Sequence, residues 1–501
     1  MESIFTRGKV FIDEFGRERI FNGVNFCDKQ GYDVCKYTFN YLRDRSVLTK
    51  CREHGFNIIR LGFTWSAVEP QPNCYNEKYL DDIGDILDCA FENGIYIYLD
   101  MHQDLYSDQT CCGDGAPKWA TLTDGYKASI PKKVWAEGYF YGKAVHRAFD
   151  NFWNNTKVNG KGLQDYYADM WRHIAEKFKD KPALFGFDLM NEPFPGTDGG
   201  KIFRQLIANA VKVSLTDNRI NVFKLGTDLI KEKGLQGPLK QFNGDVFHKI
   251  VEAGEPLVHK FDTQKYSPFL NKVSKSIRES TDKGIIFMDS CYYCNLGIPT
   301  STPPVTIDGE KEQKLCYSPH SYDLTVDTPI YKFADSSRVS SMFDEHKKAQ
   351  DRLNVPVLVG EWGSESNGVS WLPHIEFLLE LFDNNKWSNT YWAFTKQSFK
   401  RPICKVLTRP YPKAVTGEII SYHFDREQNI FTLEFNQEKE FSVPNEIYLP
   451  SEQASIVLDG KELKKFDCEK ISEKGARNIL FKTKNGNHKL EIAIKKCSNK
   501  E

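Results

Sequence analysis

The sequence has no charge of one sign to spare. Its 501 residues carry 67 basic and 68 acidic side chains, for a formal net charge of −1. Without a basic excess it does not read as a nucleic-acid binder or as a protein held to anionic surfaces by charge alone. It also lacks long apolar runs: mean hydropathy is −0.52, and no segment approaches the ~20 apolar residues of a membrane span. The opening stretch "MESIFTRGKVFIDEFGRERIF" has no apolar core of the kind a secretion signal needs. A cytoplasmic protein is the expectation, or a secreted one if a leader has been removed. The 13 cysteines are odd in number and scattered, which points to free thiols in a reducing compartment. Cys291 and Cys294 form a C-x-x-C and Cys111 and Cys112 are adjacent, but no further ligands stand close by to complete a zinc site. With only 11 histidines, neither a metal ion nor a cofactor is expected. Internal repeats and low-complexity segments are absent as well.

What the sequence does have is a succession of short apolar runs rich in Ile, Val, Phe and Tyr, separated mostly by helical patterning. Eight stand out, at 20–25, 57–62, 95–101, 184–191, 284–289, 315–320, 356–361 and 389–394. Between them lie amphipathic stretches such as 79–92, where Leu80, Ile83, Ile86, Leu87 and Ala90 recur at helical spacing, and 166–179. Buried parallel strands alternating with helices predict an α/β fold, a (β/α)₈ TIM barrel. The runs end in Asn25, Arg60, His102, Asn191-Glu192, His320, Glu361 and Trp392. Polar residues gathered at strand ends are what the active face of such a barrel requires.

Two connections exceed a bare loop. The one between strands three and four is crowded with aromatics from Trp135 to Trp153. The other, 194–283, reads as extra helices over the same face. Beyond about Pro412, alternation in "IFTLEF" and "HKLEIAI" predicts a small antiparallel β-sandwich, with Asn485-Gly486 as a hairpin turn. The expected division is a catalytic barrel over 1–410 and a sandwich over 411–501.

Strands four and seven of an eight-stranded barrel face each other across its mouth, and they end in Glu192 and Glu361. Two acids flanking one bond are the requirement of glycoside hydrolysis. "DLMNEP" at 188–193 and "LVGEWGS" at 358–364 resemble the acid/base and nucleophile motifs of the family five glycoside hydrolases, retaining enzymes on (β/α)₈ barrels. "DMHQDLYSD" at 100–108, "GDGAPKWA" at 113–120, "SPHSYD" at 318–323 and "LTRPYPKAV" at 407–415 are similar to the endoglycoceramidase and glucosylceramidase branch. The resemblance spans nearly the whole chain and includes the C-terminal sandwich.

That resemblance implies roles. Glu192 becomes the general acid/base, Glu361 the nucleophile, and Asn191 a ligand of the sugar 2-hydroxyl. Tyr322 and Arg60 hold Glu361 ionised, His102, Asp104 and Lys29 bind sugar, and Trp392 forms a platform under the ring. The acid role requires a raised pKa at Glu192, expected from apolar walls of Phe185, Phe187 and Phe194. The expected substrate is a glycolipid, a glycosylceramide, with its lipid against the aromatic insertion and the helices after Phe194, and with transient contact to membrane or lipid micelles. The alternatives are a steryl β-glucosidase, a β-glycanase of cellulase or mannanase type on an open cleft, and a barrel that only binds carbohydrate. The last is disfavoured by the presence of both acids.

Overall fold

The computed structural model describes residues 1–27, 29, 44–132, 134–222, 224, 225, 239, 241–328, 330–366 and 368–495. Part of the expected helical insertion, at 226–238, therefore lies outside the described residues. All eight expected strands form: β1 (Asn22–Cys27), β2 (Ile58–Thr64), β3 (Tyr96–His102), β4 (Leu184–Asp188), β5 (Ile285–Met288), β6 (Leu315–Tyr317), β7 (Leu358–Val359) and β8 (Ser388–Tyr391). They pair in parallel in the circular order β6-β5-β4-β3-β2-β1-β8-β7. A parallel bridge from Tyr317 to Val357 joins the two ends, and His320–Ser321 pairs with Glu361–Trp362 just above it. The sheet is thus a closed (β/α)₈ barrel.

The strands are β-branched and aromatic because both their faces are covered. β2 and β3 are buried at every position. Gly186 in β4 is there for space, since a Cβ at that position would lie 2.1 Å from the Ile285 carbonyl oxygen of the neighbouring strand. The expected helix 79–92 is Glu77–Glu92, capped by the Asn76 side chain on the Tyr79 N–H, with Leu80, Ile83, Ile86, Leu87 and Ala90 all buried. Helix Leu163–Phe178 matches the second amphipathic stretch.

The bottom of the barrel is sealed by aromatics. Phe11, Phe21, Tyr96, Phe185 and Phe287 form one buried cluster with Ile58, Ile285 and Leu358, and Phe21 meets Phe185 at a centroid distance of 4.8 Å. Phe11 comes from a hairpin, Ile4–Arg7 with Val10–Asp13, that precedes the barrel. That hairpin, continued by Glu18–Arg19, pairs onward with Tyr411–Val415. One seven-stranded sheet of the C-terminal sandwich therefore takes in residues from the start of the chain.

The second sandwich sheet has five strands, and the burial of Ile430–Gln437 alternates as the sequence does. Asn485-Gly486 is not a hairpin turn. The strand before it, Arg477–Phe481, belongs to the seven-stranded sheet, whereas the strand after it, Gly486–Ile494, belongs to the five-stranded one. Ile479, Phe481, Leu490 and Ile492 all enter the same core. The two strands consequently face each other across that core instead of pairing edge to edge. The 11 cysteines among the described residues are free; Cys294 is buried, and burial pushes its thiol well above the usual range, so it stays protonated and is poorly suited to metal or redox work.

Candidate active site

Strand four delivers its carboxylate through a strained turn. Glu192 has φ +44, in the left-handed region that non-glycine residues rarely occupy, and Pro193 follows at once. The turn is held from two sides. The Glu192 N–H donates to Asp289 Oδ2 at 2.8 Å, and the Gln103 amide donates to the carbonyls of Asn191 and Glu192 at 2.9 and 3.1 Å. Strain of this kind survives only where neighbours fix it, and it sets the direction of the side chain.

Glu361 stands opposite, at the end of β7. Arg60 Nη1 donates to its Oε1 at 2.5 Å and the Tyr322 hydroxyl donates to its Oε2 at 2.9 Å. Arg60 is itself fully buried, with Asp188 and Asp100 each 2.9 Å away and a further bond to Asn191 Oδ1 at 2.9 Å. His320 bridges the two acids: its Nδ1 lies 3.1 Å from Glu192 Oε1 and 3.8 Å from Glu361 Oε2. One atom from each of Glu192, His320 and Glu361 lies within 4.8 Å of the others. That is the short separation of retaining glycosidases, well below the ~6.5–9.5 Å that leaves room for a water in inverting ones.

Burial separates the protonation of these groups. It raises the Glu192 carboxyl to about 7, with the Asp104 charge adding to the effect, and lowers the His320 imidazole to about 3. A neutral imidazole with its proton on Nδ1 donates to Glu192, beside the Asn295 amide at 2.6 Å. The expected apolar walls are only partly those found. Phe185 is in the plug at the barrel bottom, and Phe187 packs outward on Trp171. Two residues apart they would share a face of a regular strand, but the register shift against Ile97 and Tyr98 leaves Phe185 as the extra residue of a bulge and sends it to the other face; neither reaches the strand tip. Phe194 stacks on Tyr139 at 4.6 Å, next to Tyr292, which lines the site.

The remaining expected residues converge on one wall. Lys29 forms an ion pair with Asp104 and lies 4.7 Å above the Trp392 ring. His102 stacks on Trp392 with the rings 8° apart and 5.2 Å between centroids. Its Nδ1 bonds Asp100 at 2.8 Å. Burial and the Lys29 charge oppose a charge on His102, yet Asp100 and Asp104 together prevail and the imidazole rises to about 10. Lys29 likewise overcomes burial and holds Asp104 well below the usual carboxylate range. His102, Asp104 and Asp114 also offer one ligand atom each within 4.8 Å. With the Lys29 ammonium and the His102 imidazole beside Asp104, this wall presents cationic hydrogen-bond donors at the cavity.

These residues border a cavity of about 490 Å³. The lining includes Lys29, His102, Asp104, Glu192, Tyr322, Glu361 and Trp392, and also Trp135, Phe140, Leu296, Leu324 and Val326. Asn191 and Arg60 stand just behind, tying the acids to the barrel. Within the aromatic insertion, Tyr139, Phe149, Phe152 and Trp153 are core; Trp135 and Phe140 are the two that reach the cavity.

Sequence reasoning missed His320, Asn295, Gln103 and Asp289 as parts of the site. His320 was visible as a polar strand end. Asn295 sits inside "CYYCNLG", where the cysteine pair drew attention away from it. Asp100, Asp188 and Asp289 are acids in or at the end of apolar runs, a signal that buried charges are present.

The Cellulase (glycosyl hydrolase family 5) model matches residues 12–398, and the Glycoside hydrolase family 5 C-terminal domain model matches 409–494. The endoglycoceramidase of Cyanea nozakii is 35% identical over 214 residues, 37% of this chain and 40% of that protein. Endoglycoceramidase I of Rhodococcus hoagii (strain 103S) is 23% identical over 460 residues, 88% of this chain and 78% of that one. The chain matches about two fifths of the length of the Cyanea and Hydra vulgaris endoglycoceramidases. Among solved structures, endo-glycoceramidase II from Rhodococcus sp. in its ganglioside GM3 complex superposes with a TM-score of 0.73 at 21% identity, covering 98% of this chain and 100% of that one. Cryptococcus neoformans sterylglucosidase 1 gives 0.69 at 15% identity, with 98% and 97% covered. At these identities the likeness shows the shared fold.

Proposed function

Because the chain belongs to glycosyl hydrolase family 5, we propose that it is a retaining β-glycosidase that cleaves the bond between a sugar head group and a lipid. The observation that carries this reading is the pair Glu192 and Glu361, close together over a cavity lined by both polar and large apolar side chains. Glu361, gripped by Arg60 and Tyr322, attacks the anomeric carbon while Glu192 gives its proton to the leaving oxygen. The glycosyl ester on Glu361 is then hydrolysed by a water that Glu192 deprotonates, restoring configuration. A carboxyl raised to about 7 by burial is protonated often enough to serve as the acid and basic enough to serve as the base.

The charged wall of Lys29, Asp104 and His102 suits the hydroxyls of the sugar, and Trp392 offers it a flat apolar face. Asn191 keeps one amide N–H for the 2-hydroxyl after donating the other to the Gln103 carbonyl. Trp135, Phe140, Leu296, Leu324 and Val326 suit the lipid. The relatives named as endoglycoceramidases support a sphingolipid aglycone.

The test is to incubate the protein with glucosylceramide and, separately, with a glycosphingolipid of longer head group, and to identify the sugar released. Glucose from the first marks an exo-acting glucosylceramidase, and an intact oligosaccharide from the second marks an endo-enzyme. If neither lipid nor a steryl glucoside is cut while a soluble β-glucan is, the glycolipid reading fails in favour of a β-glycanase.

A further inference from the structure

The apolar wall of the cavity continues onto the surface of the molecule. Phe140, which lines the cavity, stacks face to face on Phe203, with centroids 4.0 Å apart and an interplanar angle of 6°. Tyr141, 64% exposed, meets the same Phe203 edge-on at 5.4 Å. Phe203 belongs to the helix Thr197–Thr216, and from it every fourth residue is apolar. Ile207, Val211 and Leu215 are 47%, 57% and 68% exposed. At 1.5 Å per residue the stripe carries the apolar track about 18 Å beyond Phe203. The helix does not need this face for packing, because Ile202, Leu206 and Val213 bury the other one.

The stripe is also part of a wider pattern. Of the sixteen large apolar side chains exposed among the described residues, ten lie in the segments that follow β3, β4, β6 and β7; Ile130 is 88% exposed and Val369 58%. The row from Phe140 and Tyr141 through Phe203 along the helix is a connected apolar track rather than scattered single residues, and such a track marks an interaction site. The helix itself carries three basic side chains and one acid. Lys201, Arg204 and Lys212 flank the stripe in the open, and Asp198 is the helix's one acid, paired with Lys201 and Lys260.

We propose that this rim docks on a lipid bilayer, with Tyr141, Ile207, Val211 and Leu215 among the acyl chains and Lys201, Arg204 and Lys212 at anionic head groups. A glycolipid then moves from the bilayer along Phe203 and Phe140 into the cavity without its chains crossing water. This rests on the glycolipid reading of the site. A bilayer suits the surface better than a second copy of the chain, because a two-fold contact across the stripe would set the same basic residues against one another. The contact is peripheral: no described helix is long and apolar enough to cross a membrane.

The experiment is sedimentation of the full chain with phosphatidylcholine vesicles, with and without phosphatidylserine, comparing wild type with the triple variant Ile207→Ser, Val211→Ser, Leu215→Ser. These positions are exposed, so an unchanged melting temperature is expected, and it shows that the variant is folded. The variant should lose vesicle binding about ten-fold or more, since each buried CH₂ contributes to such binding, and should lose hydrolysis of vesicle-embedded glucosylceramide in proportion. Hydrolysis of a soluble aryl β-glucoside should not change. A second variant, Lys201→Glu with Arg204→Glu and Lys212→Glu, should weaken binding to phosphatidylserine vesicles by about five-fold per residue. Wild-type vesicle binding by both variants overturns the proposal. So does a shift of the serine variant from dimer to monomer with no vesicle binding by the wild type, which assigns the stripe to a second copy. Vesicle binding that the variants abolish, with no glycolipid hydrolysed by any form, leaves the docking surface standing and removes the substrate assignment.

Discussion

The two ends of the barrel are built from the same eight strands, and each holds a buried cluster, yet they differ in kind. The bottom is a plug of aromatic rings, with Phe11, Phe21, Tyr96, Phe185 and Phe287 meeting mostly edge to face. The mouth is a cluster of charges in which Arg60 is shared among Asp100, Asp188 and Glu361. Burying apolar rings is favourable, whereas burying charge costs free energy that ion pairs recover only in part. Asp188, pushed up to about 7 by burial in spite of Arg60, carries the mark of that cost. Stability therefore comes from the bottom of the barrel, and the mouth draws on it to hold chemistry in place.

The contrast can be broken at either end, and the largest effect is expected at the mouth. Glu361→Ala should reduce turnover about 10⁴-fold or more while the circular dichroism spectrum and melting temperature hold; wild-type turnover would refute the nucleophile assignment. Glu192→Gln should lose about 10²–10⁴-fold on glycolipid, and far less on an aryl glycoside whose leaving group departs without a proton. Steady-state rates on the two substrates measure the gap, and equal losses on both would remove the acid role.

Phe185→Ala should do the reverse, costing about 3–5 kcal/mol of stability in urea titration and leaving kcat/KM of the surviving folded protein within about two-fold. A large loss of kcat/KM would show that the plug is coupled to the site.

The smallest effects concern pH. Activity should fall as pH rises past about 7, when Glu192 loses its proton, and Asp104→Asn should move this alkaline limb downward because the Asp104 charge helps to raise Glu192. An unmoved limb in kcat against pH would end that explanation. Glu192 also shapes stability. Its folded pKa of about 7 exceeds the ordinary value of 4.5, so between those values the folded form binds more protons. Stability then falls with rising pH across that window and levels off above it. Glu192→Gln should remove this loss, making the variant more stable than wild type above pH 7 by up to about 3 kcal/mol and equal to it below about 4.5.

Much of the site was legible because strand ends announce themselves. A buried run that stops in Asn191-Glu192 or in Glu361 carries its chemistry in the order of its residues, and the eight runs placed those tips on one rim. His320 and Asn295 were not legible as partners of Glu192, being 128 and 103 residues away from it in the chain. Phe185 was misplaced for a related reason: the apolar pattern told that the residue is buried, but not at which end of the barrel. Asn485-Gly486 had the residues of a hairpin, and the local signal lost to a core that needed the two strands on opposite sheets.

The sequence by itself determined the eight strands, the helices between them, the alternating sandwich strands and the presence of two acids at strand tips. All of these follow from the period of a chain that must hide its apolar side chains and satisfy its backbone. Only the tertiary structure decided that Glu192 and Glu361 stand within 4.8 Å of a shared imidazole, that one guanidinium serves three carboxylates, and that an N-terminal hairpin joins the C-terminal sheet. Those are distances between residues far apart in the chain, set by barrel closure and strand register, and local pattern carries no measure of them.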